Sequence, residues 1–378
     1  MILSKEHEMI RKVAREFAET EFTREVLDET EETGIFPQNV LEKMARVGFL
    51  GVKIPKQYGG QGGDNLAYIL VMEEISRVSA VAGVYVSMVN SLSSGPLMLA
   101  GSEEQLDKYL APAARGEKKI CFALTEPGAG SDAGGIQTTA VHDGDDFIIN
   151  GTKCFITAAK ISDYAIVYTK TDPEKGIRGI SAFIVDLKLP GVSFGKAEHK
   201  MGIIGCPTGD LIFEDVRVSA SDMLGKQGKG WTNAMKTLDV GRMGIGAQSL
   251  GVAQGCLDES VKYAKERKQF GKPIASFQAI SFMLADMATK VAASRELVYN
   301  AAALKDAGRE DPNAASIAKY FASEACNEVA AMAVQIHGGY GYIREYPVER
   351  KYRDCRVFTI YEGTSQVQQM VIAGNLLK

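Results

Sequence analysis

The chain has 378 residues, of which 46% are hydrophobic and 24% are charged, and its formal net charge is −4. This length predicts two or three domains, and the balanced charge without a long basic run argues against binding to nucleic acid or to an anionic membrane. Six cysteines occur singly without a CxxC pair, which favours reduced thiols over disulfides or a zinc site. The first residues show neither a secretory signal nor a transit peptide, so we expect a cytoplasmic protein that acts on small molecules.

The first third of the sequence has the apolar spacing of amphipathic helices. Apolar residues recur at every third or fourth position over residues 10–17 and 40–47. A further helix is predicted after Ser102, where Gln105 completes a capping box. Residues 81–100 reach the length of a membrane span, but an asparagine, several serines and a Gly-Pro pair interrupt them. We therefore expect a buried helix followed by a break, and no membrane span.

Near residue 118 the pattern changes to short segments rich in Val, Ile, Phe and Tyr. Strands are predicted over residues 121–125, 147–150, 164–169, 180–185 and 211–213. Turn pairs such as Asp143-Gly144 and Asn150-Gly151 separate them. These features predict a compact β domain of about 100 residues.

The last third returns to helical patterns after a glycine-rich bend. Long helices are predicted near residues 231–265, 275–308 and 312–336, followed by a loop and a final helix. The order of the chain is therefore helical, β and helical, with predicted domains at 1–118, 119–224 and 225–378. Because strands do not alternate with helices, a parallel doubly wound sheet is not expected.

Familiar nucleotide and metal motifs are missing from the sequence. Glycine-rich stretches occur at 59–63, 128–131, 225–230 and 338–341, but none is a GxGxxG fingerprint or a P-loop. A Rossmann site for NAD and a P-loop site for ATP are therefore disfavoured. The four histidines are dispersed and no HExxH occurs, so the sequence predicts no metal site.

Two segments of the predicted β domain are candidates for ligand binding. Residues 122–131 leave a strand with hydroxyl groups at Thr125 and Ser131 and with small residues whose amides could approach phosphate oxygens. The plainer alternative is a tight connection after a proline. Phe155 beside Thr157 could stack on a flat ring system and hydrogen-bond its edge, or it could belong to the core.

Two segments of the C-terminal third also carry candidate residues. Residues 267–273 end a predicted helix with three cations, which suit the helix dipole whether or not a ligand is near. Glu362 precedes a glycine and two hydroxyl residues, just ahead of an apolar helix. In the simpler interpretation Thr364 or Ser365 is the N-cap and Glu362 lies on a solvated approach to it. In the functional interpretation an apolar setting raises the pKa of Glu362 towards neutrality and makes it a base for a weak carbon acid.

In combination these segments resemble the acyl-CoA dehydrogenase family over essentially the whole chain. The resemblance depends on five motifs in the order and at the separations expected for the family: residues 122–132 (FALTEPGAGSD), 155–157 (FIT), 267–271 (RKQFG), 335–339 (QIHGG) and 360–364 (IYEGT). It implies an α+β multidomain fold with an N-terminal α-helical domain, a middle β-barrel-like domain and a C-terminal four-helix bundle. It also implies a bacterial homotetramer with one FAD per subunit.

The same resemblance implies residues for the cofactor and the substrate. Those matching FAD-binding positions are Phe122, Leu124, Thr125, Gly130, Ser131, Phe155, Ile156, Thr157, Arg267, Phe270, Gln278, Gln335, Gly338, Gly339, Thr364 and Gln366. Within this set, Arg267, Gln278 and residues 335–339 would reach the FAD of a neighbouring subunit. Ser131, Asp239, Arg242 and Gly363 match positions that contact the CoA thioester. Most relatives carry Trp in place of Phe155, and often Asn in place of Ala158.

By the same resemblance, Glu362 is the catalytic base that removes the α-proton while the β-hydride passes to flavin N5. Some branches of the family place the base on a helix of the C-terminal domain, at the position that is Gly241 in this sequence. Glycine at that position supports the choice of Glu362.

The substrate and the direction of reaction stay open at this stage. The sequence looks most like short-chain, butyryl-type members, which favours four-carbon thioesters and an electron-transfer flavoprotein as partner. A group with similar sequence features reduces aryl-acrylyl-CoA esters such as caffeyl-CoA in anaerobic bacteria. Two further alternatives are an acyl-CoA oxidase, which usually carries an additional C-terminal domain, and a non-catalytic scaffold. A scaffold would purify as a colourless protein.

Overall fold

The structure is a computed structural model that describes residues 1–309 and 311–378. Its N-terminal part is helical. The α-helices are α1 (Lys5–Glu21), α2 (Arg24–Thr33), α3 (Gln38–Arg46), α4 (Asn65–Val78), α5 (Ala80–Ser87), α6 (Ser94–Ala100), α7 (Glu103–Gln105) and α8 (Ala111–Ala114). Ser102 caps α7, and the predicted capping box with Gln105 is present.

The predicted break after the buried helix at residues 81–100 is wrong. A π-helical turn over Met88–Ser93 joins α5 directly to α6. Pro96 is the third residue of α6, and its missing N–H falls just after the π-helical turn, where the regular α-helical hydrogen-bond pattern is interrupted. Asn90 is buried, and its side-chain amide donates to the carbonyl oxygens of Phe49 and Val86. These hydrogen bonds explain how a polar residue fits into the apolar helix.

The middle part is a mostly antiparallel sheet of seven strands. They are β1 (Ile120–Ala123), β2 (Thr139–Asp143), β3 (Asp146–Thr157), β4 (Tyr164–Lys170), β5 (Ile180–Asp186), β6 (Val192–Phe194) and β7 (Thr208–Ser219). The order across the sheet is β1-β4-β2-β3-β7-β6, and β5 pairs with β4. The sheet encloses a separate apolar core that includes Phe147, Phe183 and Phe213.

Of the two predicted turn pairs, only one is a turn. Gly144 lies in the connection between β2 and β3 with a φ of 64°. Asn150-Gly151 instead lies inside β3, where the register against β7 shifts between Ile149 and Gly151. The strand continues because a β-bulge absorbs the irregular backbone of Gly151, whose φ is 147°. Local turn chemistry is therefore overridden by pairing with β7.

The C-terminal part consists of long packed helices. They are α9 (Gly230–Glu266), α10 (Gln278–Asp306), α11 (Ala314–His337), α12 (Pro347–Cys355) and α13 (Ser365–Leu376), with a two-stranded ribbon of β8 (Lys268–Gln269) and β9 (Lys272–Pro273) after α9. Helix α9, about 55 Å long, packs against both α4 and α11. A Cβ atom at Gly251 would lie 2.3 Å from the Glu73 carbonyl oxygen, so glycine permits the close approach of α9 to α4.

The helical, β, helical order expected from the sequence is confirmed, and no doubly wound sheet is formed by the described residues. The boundaries at 118 and 224 stay predictions. In the described part of the chain, no helix is both long enough and apolar enough to cross a membrane.

Candidate active site

A cleft of about 370 Å³ lies where the sheet meets the N-terminal and C-terminal helices. Several residues singled out in the sequence line it, and they come from separate segments of the chain: Phe122, Leu124, Thr125, Gly130, Ser131, Phe155, Ile156, Thr157, Arg242, Glu362 and Gly363. Helix α9 supplies a further wall. Folding therefore brings three of the five motifs, together with Arg242, to one cavity.

A buried ion pair fixes the segment that follows β1. The Lys153 ammonium donates to a Glu126 carboxylate oxygen at 2.7 Å and to the Leu124 carbonyl oxygen at 3.1 Å. Burial lowers the pKa of Lys153 to about 8, although Glu126 opposes this change. The same carboxylate accepts the backbone N–H groups of Gln137 and Thr138. These bonds hold the wall formed by Leu124 and Thr125 in a fixed position.

The end of β3 presents an exposed aromatic ring beside that wall. The β3–β7 register shifts between Lys153 and Ile156, and Phe155, inside this irregularity, has a φ of 55°. Its side chain is 64% exposed and lines the cleft. The Cys154 N–H donates to the Thr125 carbonyl oxygen at 2.9 Å, which joins the two segments. The core alternative for Phe155 is therefore wrong.

Glu362 lies on the loop between the 3₁₀ turn Arg356–Thr359 and α13, in the left-handed conformation with a φ of 50°. Thr364 is the N-cap of α13, as the simpler sequence interpretation expected. The carboxylate, however, is not on a solvated approach. Its Oε2 atom is buried and has no hydrogen-bond partner among the described residues. Burial raises the pKa of Glu362 to about 7, against the opposing effects of Lys319 and Arg242.

Gly241 provides the space that the carboxylate occupies. A Cβ atom at this position of α9 would lie 2.0 Å from Glu362 Oε2. Real side chains do not approach so closely, so any residue larger than glycine would displace the Glu362 side chain. The position at which other branches of the family carry their base is thus sterically closed while Glu362 is in place.

The sequence analysis missed most of the α9 face of the cleft. Trp231, Met235, Leu238, Ile245 and Gln248 all line it. Together with Arg242 they are spaced three to four residues apart, which signals one face of a helix, but the same spacing describes a helix buried in an ordinary core. Sequence periodicity therefore could not show that this face borders a cavity.

The remaining predicted residues lie outside this cleft. Asp239 is exposed and accepts a hydrogen bond from Arg242 at 2.8 Å. Phe270, Gln278, Gln335 and Gln366 are exposed.

A second pocket, of about 430 Å³, is lined by Arg267, Gly338 and Gly339. The Arg267 guanidinium lies over the Tyr340 ring at 5.2 Å. The two remaining motifs thus contribute to a separate, more open pocket.

Comparison with known proteins agrees with this geometry. Family models described as the N-terminal, middle and C-terminal domains of acyl-CoA dehydrogenase match residues 4–117, 121–216 and 228–377. The chain belongs to the acyl-CoA dehydrogenase family.

Individual acyl-CoA dehydrogenase relatives match over their full length. The caffeyl-CoA reductase-Etf complex subunit CarC of Acetobacterium woodii is 65% identical over 378 residues, with 100% of each chain covered. The 3-(aryl)acrylate reductase of Clostridium sporogenes is 59% identical over the same coverage. The solved butyryl-CoA dehydrogenase of Megasphaera elsdenii has a TM-score of 0.96 at 43% identity, again with 100% of each chain covered.

Membership of the acyl-CoA dehydrogenase family makes the chain a flavin-dependent oxidoreductase. The structure of the cleft is also suited to a flavin. It offers an exposed aromatic ring at Phe155 and two threonines, Thr125 and Thr157, on one wall. A Cβ atom at Gly130 would meet nothing within 4 Å, so there is open space beside the backbone on the same wall. A flat ring system with polar edges can use each of these features.

Proposed function

We propose that the chain interconverts an acyl-CoA thioester and its trans-2-enoyl-CoA, with FAD as the cofactor and Glu362 as the base. The observation that carries this proposal is the buried, unpartnered carboxylate oxygen of Glu362 in the same cleft as the wall at Thr125, Phe155 and Thr157. A base of this kind can take the α-proton of a thioester held between it and that wall. The flavin, when bound, accepts the β-hydride or returns it.

The chain's own groups account for the proton transfer. A carboxylate whose pKa is about 7 is matched to a proton transfer near neutral pH, since efficient general bases have a pKa near the working pH. The Glu362 N–H has no acceptor among the described residues, and it is therefore free to donate to the thioester carbonyl oxygen. Such a hydrogen bond stabilises the negative charge that develops on this oxygen as the α-proton leaves.

The proposed cofactor site continues into a neighbouring subunit. Arg267, with Gly338 and Gly339 in the second pocket, would hold the pyrophosphate and adenosine of the FAD bound mainly by another copy of the chain. Ser131, Arg242 and Gly363 line the cleft and would contact the thioester. A homotetramer is part of this proposal because the cofactor site would be incomplete in one subunit.

Two substrate classes are candidates. The sequence favoured four-carbon thioesters, and the solved relative named for butyryl-CoA supports them. The relatives named for caffeyl-CoA and for aryl-acrylates are more similar, at 65% and 59% identity against 43%. Trp231, Met88 and Met235 line the cleft, and indole and thioether groups pack well against aromatic rings. These observations favour a 3-aryl thioester. We further propose an electron-transfer flavoprotein as partner, since the Acetobacterium relative is named for an Etf complex.

The experiment is an anaerobic titration of the purified yellow protein, followed by the flavin absorbance. Bleaching by 3-phenylpropionyl-CoA and not by butyryl-CoA would establish the aryl class. The reverse result would establish the short-chain class. A yellow protein that neither compound bleaches would contradict both substrates, and a colourless protein would contradict the proposed cofactor.

The rate of flavin reduction is expected to depend on the protonation of Glu362. Only the carboxylate can accept a proton, so the rate with saturating acyl-CoA should rise as the pH passes through about 7 and then level off. Reduction of an enoyl-CoA needs the protonated acid, so its rate should fall over the same range. Rapid-mixing measurements from pH 5.5 to 9, in both directions, check this. Profiles that are flat across this range would contradict Glu362 as the base.

Arg267→Ala is expected to weaken FAD retention. The substitution removes a cation from the second pocket, where it would meet the pyrophosphate of a neighbouring subunit's FAD. The measurement is the ratio of FAD to protein after gel filtration of the tetramer. Lys268→Ala removes an adjacent exposed cation and should retain the wild-type ratio. Equal FAD occupancy in the two variants would refute the assignment of Arg267.

A further inference from the structure

Lys319 is a buried lysine for which the sequence analysis assigned no role. It lies on α11, and none of its surface is exposed. Its ammonium donates to the Gly363 carbonyl oxygen at 2.7 Å. Lysine is almost never fully buried unless it is paired, because removing the charge from water is costly. The burial of this ammonium beside the residue that follows the proposed base therefore suggests a role for Lys319 at that loop.

The loop that Lys319 contacts carries two unusual conformations in succession. Glu362 has a φ of 50°, and Gly363 has a φ of 92°. Left-handed backbone at a non-glycine residue costs free energy and persists only where the surroundings hold it. Here the Gly363 carbonyl oxygen also accepts from the Gln368 side-chain amide at 2.9 Å, and the same amide reaches the Glu362 carbonyl oxygen at 3.3 Å. Lys319 and Gln368 thus hold this loop from two sides.

Lys319 also contributes charge to the surroundings of the carboxylate. The cations that act on Glu362 are Lys319 from α11 and Arg242 from α9. The other titratable groups near Glu362 are the hydroxyls of Tyr68 on α4 and Tyr361 on the loop, and burial raises the pKa of both, so they are neutral at ordinary pH.

Each of the two cations also has a second carboxylate nearby. Arg242 is already paired with the exposed Asp239, and Glu324 lies near Lys319 while accepting a hydrogen bond from Ser365. Burial lowers the pKa of Lys319 to about 8, and Glu362 opposes this change. The ammonium and the carboxylate therefore favour each other's charged forms.

We propose that Lys319 is a positioning residue for the reaction: its ammonium, bonded to the Gly363 carbonyl oxygen, holds the Glu362 loop and stabilises the carboxylate form of Glu362. This inference rests on the proposed role of Glu362. None of the residues that line the cleft belongs to α11, so this helix would act on the reaction only through the loop that Lys319 contacts.

The test is the pH profile of flavin reduction by saturating acyl-CoA in Lys319→Met, which removes the charge but fills similar space. The acid limb of the profile should move upward by about one pH unit, which is about a tenfold loss of rate on that limb. A merely structural role would lower the rate equally at every pH. Lys319→Arg retains the charge, and its acid limb should stay within a few tenths of a unit of the wild type.

Lys351→Met is the matched control. Lys351 is also buried, and it also donates to a backbone carbonyl oxygen, but its acceptor is that of Arg77 at 2.5 Å and not one on the Glu362 loop. Its substitution should leave the acid limb in place. If Lys319→Met does not fold, as judged by FAD content and thermal unfolding, Lys319→Gln replaces it in the same comparison.

An unshifted acid limb in the charge-removing variant, or an equal shift in Lys351→Met, would overturn the proposal for Lys319. These outcomes are distinct from a failure of the proposed function. That failure would appear as a wild-type profile without an acid limb, or as an acid limb that persists in Glu362→Gln.

Discussion

Glu362→Gln is expected to abolish reduction of the flavin by acyl-CoA while FAD remains bound. Glutamine has nearly the shape of glutamate but cannot accept the α-proton, and loss of a general base typically costs a factor of about 10² to 10⁴ in rate. The Glu362 side chain contributes neither to the wall at Thr125 and Phe155 nor to the second pocket, so the cofactor content should not change. Anaerobic rapid mixing gives the rate, and the visible spectrum of the same sample gives the FAD content.

Glu362→Asp is the companion variant for this measurement. It retains a carboxylate on a shorter side chain, so it should recover part of the lost rate and keep an acid limb in its pH profile. Bleaching of Glu362→Gln at a rate close to that of the wild type would show that another group takes the proton.

Gly241→Ala should lower the rate of flavin reduction by about 10²-fold without unfolding the protein. The added Cβ atom would lie 2.0 Å from Glu362 Oε2, so the carboxylate must move away from its position in the cleft. Displacement of a catalytic group by about 1 Å can cost a factor of about 10². Alanine also favours a helix over glycine by up to about 1 kcal/mol, so α9 itself should not be weakened. Rapid mixing and thermal unfolding measure the two effects separately.

Gly246→Ala is the control for this variant, on the same helix and also buried. The nearest atom to its added Cβ would be a Val298 methyl at 3.1 Å, a contact that a small side-chain movement relieves. Its rate should therefore stay close to that of the wild type. If both variants lose activity to the same extent, the loss reflects a general effect of alanine on α9 and not contact with Glu362.

The sequence identified much of the cleft lining because these residues are contiguous in the chain. Residues 122–131 and 155–157 each form one wall segment, and residues 360–364 form one loop. The order of helical and β segments was also predictable, since the change from helical spacing to short β-rich segments occurs near the start of β1.

Other features depend on contacts that no local pattern records. Lys319 follows Ile317 and Ala318 on α11, but nothing in that stretch of sequence indicates its acceptor, which is 44 residues further along the chain. Gly241 resembles any helical glycine until the Glu362 side chain is placed beside it. Asn150-Gly151 has the chemistry of a turn, but pairing with β7 makes it a bulge. In each case a tertiary contact decides the structure and the local sequence does not.

The closed space at Gly241 also restricts how the base could move during evolution. Branches of the family that carry a glutamate at this helix position and those that carry it at the position of Glu362 cannot be connected through a form with both side chains in their native places, because a Cβ atom at position 241 already collides with the Glu362 carboxylate. The first of the two substitutions would therefore yield either a form without the Glu362 carboxylate or a form in which that carboxylate is displaced. Positions 241 and 362 are thus coupled, because the residue at one limits where the carboxylate of the other can lie.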